Sequence, residues 1–337
     1  MKQLFKLSLA SVLVAGSMAV QAGTLADVLD RGELHCGVTT GVTGFSAPDS
    51  AGNWTGIDVD GCRSVAAAVF GDASKVKYVP LTAKERFTAL QSGEIDVLYR
   101  NTTWTMQRDA SLGLNFAGVN YYDGQGFMVM ASLGVTDALE LDGASVCIQA
   151  GTTTELNLAD WGGENGISYD SVVVETSAQS LDGFLAGRCD VLTSDVSQLA
   201  SLRAAMANPS DAIILGNVIS KEPLGPVVRQ GDDEWFNIVK WTLIAMIQAE
   251  ESGVTSENID TVTTNPTIER IAGRLDGLKT HEYLHLSPSW SYDIITQVGN
   301  YGESFERNIG VNTPIGLSRG PNELWTKGGI LYAPAFR

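Results

Sequence analysis

The side chains best suited to chemistry lie in Arg100-Asn101-Thr102-Thr103-Trp104-Thr105-Met106-Gln107-Arg108-Asp109, directly after the apolar run Ile95-Asp96-Val97-Leu98-Tyr99. That run reads as a short buried strand. Thr105 is a good N-cap, so a helix is expected to begin there with Arg108 in its first turn. The positive end of a helix disfavours a cation in that turn, so an Arg at this point is better explained by a nearby anion. With hydroxyls at Thr102, Thr103 and Thr105, an amide at Asn101 and the guanidinium of Arg108, the strand end suits a carboxylate, which a planar guanidinium can hold bidentately. The competing explanation is a solvated Arg108 paired with Asp109.

A second constellation, His281-Glu282-Tyr283-Leu284-His285, matches the His-Glu-x-x-His of zinc peptidases. There, two His one helical turn apart bind the metal and the Glu activates water. Glu303 or Glu306 would supply a third ligand. The setting is poor, because Gly277 before it and Pro288 after it leave little more than two helical turns. A surface His pair is therefore expected, with a secreted zinc-dependent hydrolase as the alternative reading. No Gly-x-x-x-x-Gly-Lys-Ser/Thr loop or Gly-x-Ser-x-Gly elbow occurs, and Gly124-Gln125-Gly126 lacks the rest of a dinucleotide fingerprint.

The elements that must position these residues alternate. Leu25 to Leu29 reads as a short amphipathic helix. Leu34-His35-Cys36-Gly37-Val38 is a strand running into the loop Thr39 to Gly44, and turn residues Pro48 to Asn53 make a hairpin between Phe45 and Trp54. A helix follows from Ile57 to Phe70, stopping at Gly71, then a strand over Val76 to Pro80 and a helix over Lys84 to Gln91. This alternation indicates a mostly parallel sheet covered on both faces. The pattern then repeats. Phe87 to Asn101 lies on Leu181 to Asp195 at a constant offset of 94, with Gly93, Asp96, Val97 and Leu98 on Gly187, Asp190, Val191 and Leu192, and Asn101 on Asp195. Cys36-Gly-Val-Thr-Thr-Gly likewise resembles Cys147-Ile-Gln-Ala-Gly-Thr-Thr-Thr. Two α/β lobes with polar strand ends are implied, facing each other across a cleft. Crossings between them are expected near Tyr121 to Gln125 and Glu222 to Pro226, placing residues 23–123 and 225–337 in lobe 1 and 124–224 in lobe 2. After Glu250 the chain reads as polar loop, then a helix from Tyr292 to Val298 and a Gly-rich tail.

Composition sets the compartment. Lys2 and Lys6, an apolar Leu7 to Val20 and the small Ala22 make a secretory signal peptide cut after about Ala22, too short to span a bilayer. The chain holds 39 acidic against 22 basic residues, which argues against binding nucleic acid or anionic lipid. Cys36, Cys62, Cys147 and Cys189 lack close Cys-x-x-Cys spacing and read as two disulfides of an exported protein. Cys36–Cys62 and Cys147–Cys189 each stay within one lobe, whereas either other pairing would staple the lobes together.

Gln149-Ala-Gly151-Thr152-Thr153-Thr154-Glu155, Arg100-Asn-Thr-Thr-Trp-Thr105, Lys221-Glu-Pro-Leu-Gly-Pro226 and Trp325-Thr-Lys-Gly-Gly-Ile-Leu-Tyr-Ala-Pro334 resemble the periplasmic solute-binding proteins of polar and general L-amino-acid ABC importers, the family 3 solute-binding proteins. The resemblance covers nearly the whole mature chain. It implies a type II periplasmic-binding-protein fold, with two mixed, mostly parallel sheets joined by two hinge crossings. It further implies a monomer without cofactor, metal or catalysis that delivers an L-amino acid to an inner-membrane ABC permease. Carried over by position, Arg108 grips the ligand α-carboxylate with help from Thr103. Thr153 and the backbone of Gly151 to Thr154, Thr152 included, hold it from lobe 2. Asp195 takes the α-ammonium, although it is also placed to cap a helix over Val196 to Leu202. Relatives specific for basic amino acids carry an Asp where Thr39 stands and an aromatic where Val42 stands. With Arg100 and Asn101 in the site, Glu, Gln, Asp, Asn or a broad range is the implied ligand set. Phe45 and Trp54 are placed to cover it, although an aromatic in a hairpin more often serves packing.

Overall fold

The computed structural model of the chain describes residues 23–263, 265–275 and 279–337. The expected leader, residues 1–22, and Gly277 lie outside the described residues.

Two five-stranded sheets organise the molecule. The first runs Val76–Pro80, Leu34–Val38, Val97–Leu98, Val227–Arg229, Leu114–Phe116. The second runs Tyr169–Val174, Ala144–Gln149, Val191–Asp195, Gln125–Met130, Ala212–Ile214. In each sheet the fourth strand is antiparallel to both neighbours and the first three are parallel. Connectivity explains the reversal, because these are the strands by which the chain enters each sheet from the other. Just before each comes a crossing strand, Tyr121–Asp123 or Glu222–Leu224, and the two crossings pair antiparallel with Glu222 opposite Asp123. Side by side, the crossings satisfy backbone groups that single connections would leave unpaired.

Local signals place most of the elements. The hairpin forms between Ala47–Pro48 and Trp54–Thr55. Helix Ile57–Phe70 stops where Gly71 turns left-handed (φ 66°) and its N–H reaches the Ala67 carbonyl at 2.8 Å. Val97, Leu98 and Val227 are fully buried, as strands covered on both faces require. Both disulfides start from a strand, Cys36 joining Cys62 in helix Ile57–Phe70 and Cys147 joining Cys189 just before strand Val191–Asp195.

The internal repeat is physical. Asp96 accepts the His35 N–H at 2.8 Å while its own N–H donates to the His35 carbonyl at 2.9 Å. Asp190 does the same with Ser145, at 3.0 and 2.9 Å. This register sets Cys36 beside Val97 and Val146 beside Val191, so the counterpart of Cys36 is Val146 and not Cys147. A one-residue slip along a strand points a side chain to the opposite face, so the two disulfides do not occupy equivalent places in the two lobes.

Toward the end of the chain the helix expected over Tyr292 to Val298 forms as Trp290–Gln297, beyond helix Asp233–Glu251. Helices Pro266–Ile271, Thr280–Leu284 and Tyr301–Asn308 stand where loop and tail were expected. The last has a full capping box between Asn300 and Glu303, and its Phe305 is buried beside Ile294 and Ile295 in the first lobe's core.

Candidate functional site

The site is assembled from strand ends. After Val97–Leu98 the backbone turns left-handed at Asn101 (φ 34°) and crosses to helix Met106–Ser111, which Thr105 caps by accepting the Arg108 N–H at 3.2 Å. The buried Arg108 guanidinium turns back to donate to the Thr103 carbonyl at 2.9 Å, with its carbon 5.3 Å from the Phe87 ring centroid. In the second lobe, strand Val191–Asp195 delivers Asp195 to the same place. Its side chain makes no capping bond to the following helix, so the cap role does not consume it. Beside it, helix Thr153–Asn165 starts at Thr152, whose hydroxyl donates back to the Gln149 carbonyl at 2.7 Å instead of capping. Its first backbone N–H groups therefore face the cleft without a side-chain cap, the arrangement that attracts anions.

Arg100, Asn101, Thr103, Thr152, Thr153 and Asp195 line one inter-lobe cavity of about 20 Å³, and Arg108 lies behind Thr103. The lobes are in contact around it. Asn101 Nδ2 donates to Gln198 Oε1 at 3.0 Å, the Thr103 and Thr153 hydroxyls are 3.4 Å apart, and Lys84 pairs with Glu175 at 2.7 Å on the rim. Gly151 permits this closeness, since a Cβ there would lie 3.0 Å from Lys84 Cγ on a backbone with φ +74°.

Two expected residues are elsewhere. Phe45 is buried with its ring edge-on to Tyr121 at 5.6 Å, and Trp54 packs on Tyr78 at 5.6 Å. Both aromatics fill the first lobe around the hairpin and neither lines the cavity. Conversely, Arg86, Gln149, Ser194 and Gln198 line it and were not assigned to the site from the sequence. Arg86 opens helix Arg86–Ser92. It thus carries the signal that singled out Arg108, a cation in a first helical turn.

Charge is stressed throughout the site. Burial pulls Arg86 well below its usual range, and Arg100 and Arg108 add repulsion. Among the described residues its Nε has no hydrogen-bond partner, and its other nitrogens reach only Thr102 Oγ1 at 3.4 Å and the Gly151 carbonyl at 3.5 Å. Burial likewise brings Arg100 down to about 10. Among the acids, burial and the carboxylates of Asp123 and Glu222 push Asp195 well above the usual range, against Arg86 and Arg108. Asp123, in the first crossing, is raised to about 6 by burial. A zwitterion offering a carboxylate to the arginines and an ammonium to Asp195 would relieve both sets at once.

The zinc-hydrolase alternative fails on geometry. Helix Thr280–Leu284 has five residues, and His285 is its left-handed cap (φ 52°), so the two His do not share a helix face. His285 Nδ1 bonds Glu234 instead. Glu303 is spent capping Asn300 and holding Ser256. Among the described residues no group of three or more His, Cys, Asp or Glu is placed to hold a metal.

Two mixed α/β lobes on a paired two-strand hinge, with polar strand ends meeting between them, define the type II periplasmic binding proteins. The chain belongs to the bacterial extracellular solute-binding proteins, family 3, whose model matches residues 34–258. It is 57% identical over 330 residues to the general L-amino acid-binding periplasmic protein AapJ of Rhizobium johnstonii, spanning 97% of each chain. It is 54% identical to the glutamate/glutamine/aspartate/asparagine-binding protein BztA of Rhodobacter capsulatus, covering 97% of this chain and 96% of that one. A solved periplasmic binding protein of Brucella ovis with glutathione bound superposes with a TM-score of 0.92 at 52% identity, covering 94% of this chain and all of that one. The protein is a solute-binding protein and not an enzyme.

Proposed function

We propose that this protein captures an L-amino acid with an acidic or amide side chain, or a broader range including these, between its lobes and hands it to an inner-membrane ABC importer. In this reading residues 23–123 and 225–337 form one lobe and 124–224 the other. The protein acts as a periplasmic monomer after removal of residues 1–22. Arg108 holds the α-carboxylate with Thr103 and the N–H groups at the start of helix Thr153–Asn165, and Asp195 holds the α-ammonium. Arg100 and Arg86, with Asn101, face the ligand side chain. The observation carrying the reading is the buried Arg86 Nε, without a partner among the described residues, in a cluster of three guanidiniums of which two, Arg86 and Arg100, line the same cavity as Asp195. A second acidic group on the ligand completes that cluster, and the names of the relatives AapJ and BztA are consistent with it.

Native mass spectrometry of protein purified from its own periplasm identifies any retained ligand. Calorimetry over the twenty L-amino acids and glutathione then ranks them, with Glu, Gln, Asp and Asn expected among the tightest. Tight binding confined to basic or aromatic amino acids would overturn the assignment of Arg86 and Arg100.

A further inference from the structure

Glu222 lies in the second hinge crossing, 2% exposed, and accepts three hydrogen bonds from neutral donors. Thr153 Oγ1 donates at 2.9 Å, Asn157 Nδ2 at 2.6 Å and the Ser220 hydroxyl at 2.7 Å. A carboxylate has no proton to return, so the donor in the first of these bonds is Thr153. A threonine hydroxyl has one proton. Once it is committed to Glu222, the oxygen of Thr153 faces the cleft with lone pairs only, and the Thr103 hydroxyl 3.4 Å away can approach it only as a donor.

We infer that Glu222 is a positioning residue that fixes Thr153 as an acceptor for the ligand ammonium, alongside Asp195, and removes its hydroxyl from the carboxylate-binding set. The inference rests on the amino-acid reading above and departs from the role that family resemblance gives the Thr153 side chain. The carboxylate is then left to Arg108, Thr103 and the backbone N–H groups of the helix start. Because Glu222 sits on the crossing strand opposite Asp123, the same bond ties the first turn of helix Thr153–Asn165 to the hinge. Polarity at the ligand and position of the lobe are thus set by one carboxylate. Glutamine at this position can turn its Nε2 toward Thr153, freeing the hydroxyl proton and reversing the polarity presented to the ligand.

The test compares L-glutamate with glutarate, which keeps both carboxylates and lacks the ammonium. Dissociation constants are measured by calorimetry for the wild type, Glu222→Gln, Thr153→Val and Asn157→Ala. In Glu222→Gln and Thr153→Val the preference for glutamate over glutarate is expected to shrink about 5-fold or more, the loss of one hydrogen bond to a charged group. Asn157→Ala, which removes another partner of Glu222 and leaves Thr153 bound, is expected to keep the wild-type preference. Equal weakening of both compounds in Thr153→Val marks a donor to the carboxylate or a merely structural role and overturns the inference, even if Glu222→Gln fails to fold. No binding of glutamate, glutamine, aspartate or asparagine by the wild type overturns it together with the proposed ligand class, whereas wild-type glutamate binding with an unchanged preference in Thr153→Val sinks this inference alone.

Discussion

Asn101 and Gln198, 97 residues apart, meet across the cleft, the amide nitrogen of the first 3.0 Å from the amide oxygen of the second. Each follows a strand end on its own lobe, so the bond exists only when the lobes are together. Its net worth as a buried neutral hydrogen bond is about 1 kcal/mol. A double-mutant cycle with Asn101→Ala and Gln198→Ala, read in ligand affinity, is expected to show coupling of about that size. Strict additivity would mean that the ligand-bound lobes meet differently.

In the proposed function Arg108 and Asp195 hold opposite ends of one zwitterion. Removing either leaves a ligand charge buried and unpaired, at a cost of about 2–5 kcal/mol, or roughly 30-fold to several-thousand-fold in affinity. Arg108→Ala and Asp195→Ala are each expected to nearly abolish binding while thermal unfolding of the free protein stays cooperative. His281→Ala with His285→Ala, far from the cavity lining, serves as the control and is expected to bind normally. Near-normal affinity in either charge variant takes that residue out of the site.

Burial, Asp123 and Glu222 hold the Asp195 carboxyl toward its protonated form, while Arg86 and Arg108 oppose them. A ligand ammonium stabilises the ionised form, so binding is expected to release a proton and affinity to rise with pH below the ligand-free pKa of Asp195, by at most about 10-fold per pH unit. Calorimetry in two buffers of different ionisation enthalpy detects the proton directly. Identical observed enthalpies would show that Asp195 is already ionised before the ligand arrives.

Asp58 and Asp123 are raised by burial from 3.8 to about 6. A carboxyl raised in the folded state contributes stability when protonated, fully below 3.8 and lost as pH rises through about 6. Acidification from pH 7.5 to 5 is therefore expected to stabilise the free protein by about 1 kcal/mol for each group. Capping carboxylates such as Glu85 and Glu140 are lowered by the backbone bonds they accept, so their loss comes at lower pH. Urea midpoints at the two pH values measure the gain. Asp58→Asn, though less stable overall, is expected to remove its own share of about 1 kcal/mol from a total to which the raised Asp195 and Asp96 also contribute.

Asn322 holds both backbone groups of Tyr122 in the first crossing, accepting its N–H at 2.7 Å and donating to its carbonyl at 3.0 Å. Tyr301 adds a bond from its hydroxyl to the Asn120 carbonyl at 2.8 Å. Both residues lie beyond the matched family region. Asn322→Ala leaves two partly buried backbone groups without their protein partner and is expected to cost about 1–3 kcal/mol. Hydrogen exchange at residues 121–123 is expected to quicken. Unchanged protection there would show that the crossings are held without the C-terminal segment.

Features governed by neighbours within a turn or two were legible in the sequence. The stop at Gly71, the strand Val76–Pro80 and the cap at Thr105 depend on a positive φ, apolar burial and one hydroxyl beside an N–H. The offset of 94 was visible because both lobes need the same Asp to close the same strand start. It placed Asn101 and Asp195 on one cavity from sequence alone. The pairing of cysteines followed from the same two-lobe division.

The tertiary structure decided which residues of each strand end meet. Arg86 carried a readable signal, but its relevance depends on the second lobe bringing Gly151 to it from 65 residues away. Gln198 and Glu222 look ordinary in sequence, and their parts arise from partners 97 and 69 residues distant. Phe45 and Trp54 were legible as hairpin aromatics with packing as the commoner role, but the choice between packing and covering the ligand depends on where Tyr121 and Tyr78 come to rest. The His281 motif needed five residues of spacing to be read and a helix to be true, and His285 adopts a left-handed backbone that ends the helix there. Periodicity and capping act between near neighbours along the chain, whereas a cleft is made of contacts between distant segments whose geometry exists only once both lobes have folded and met.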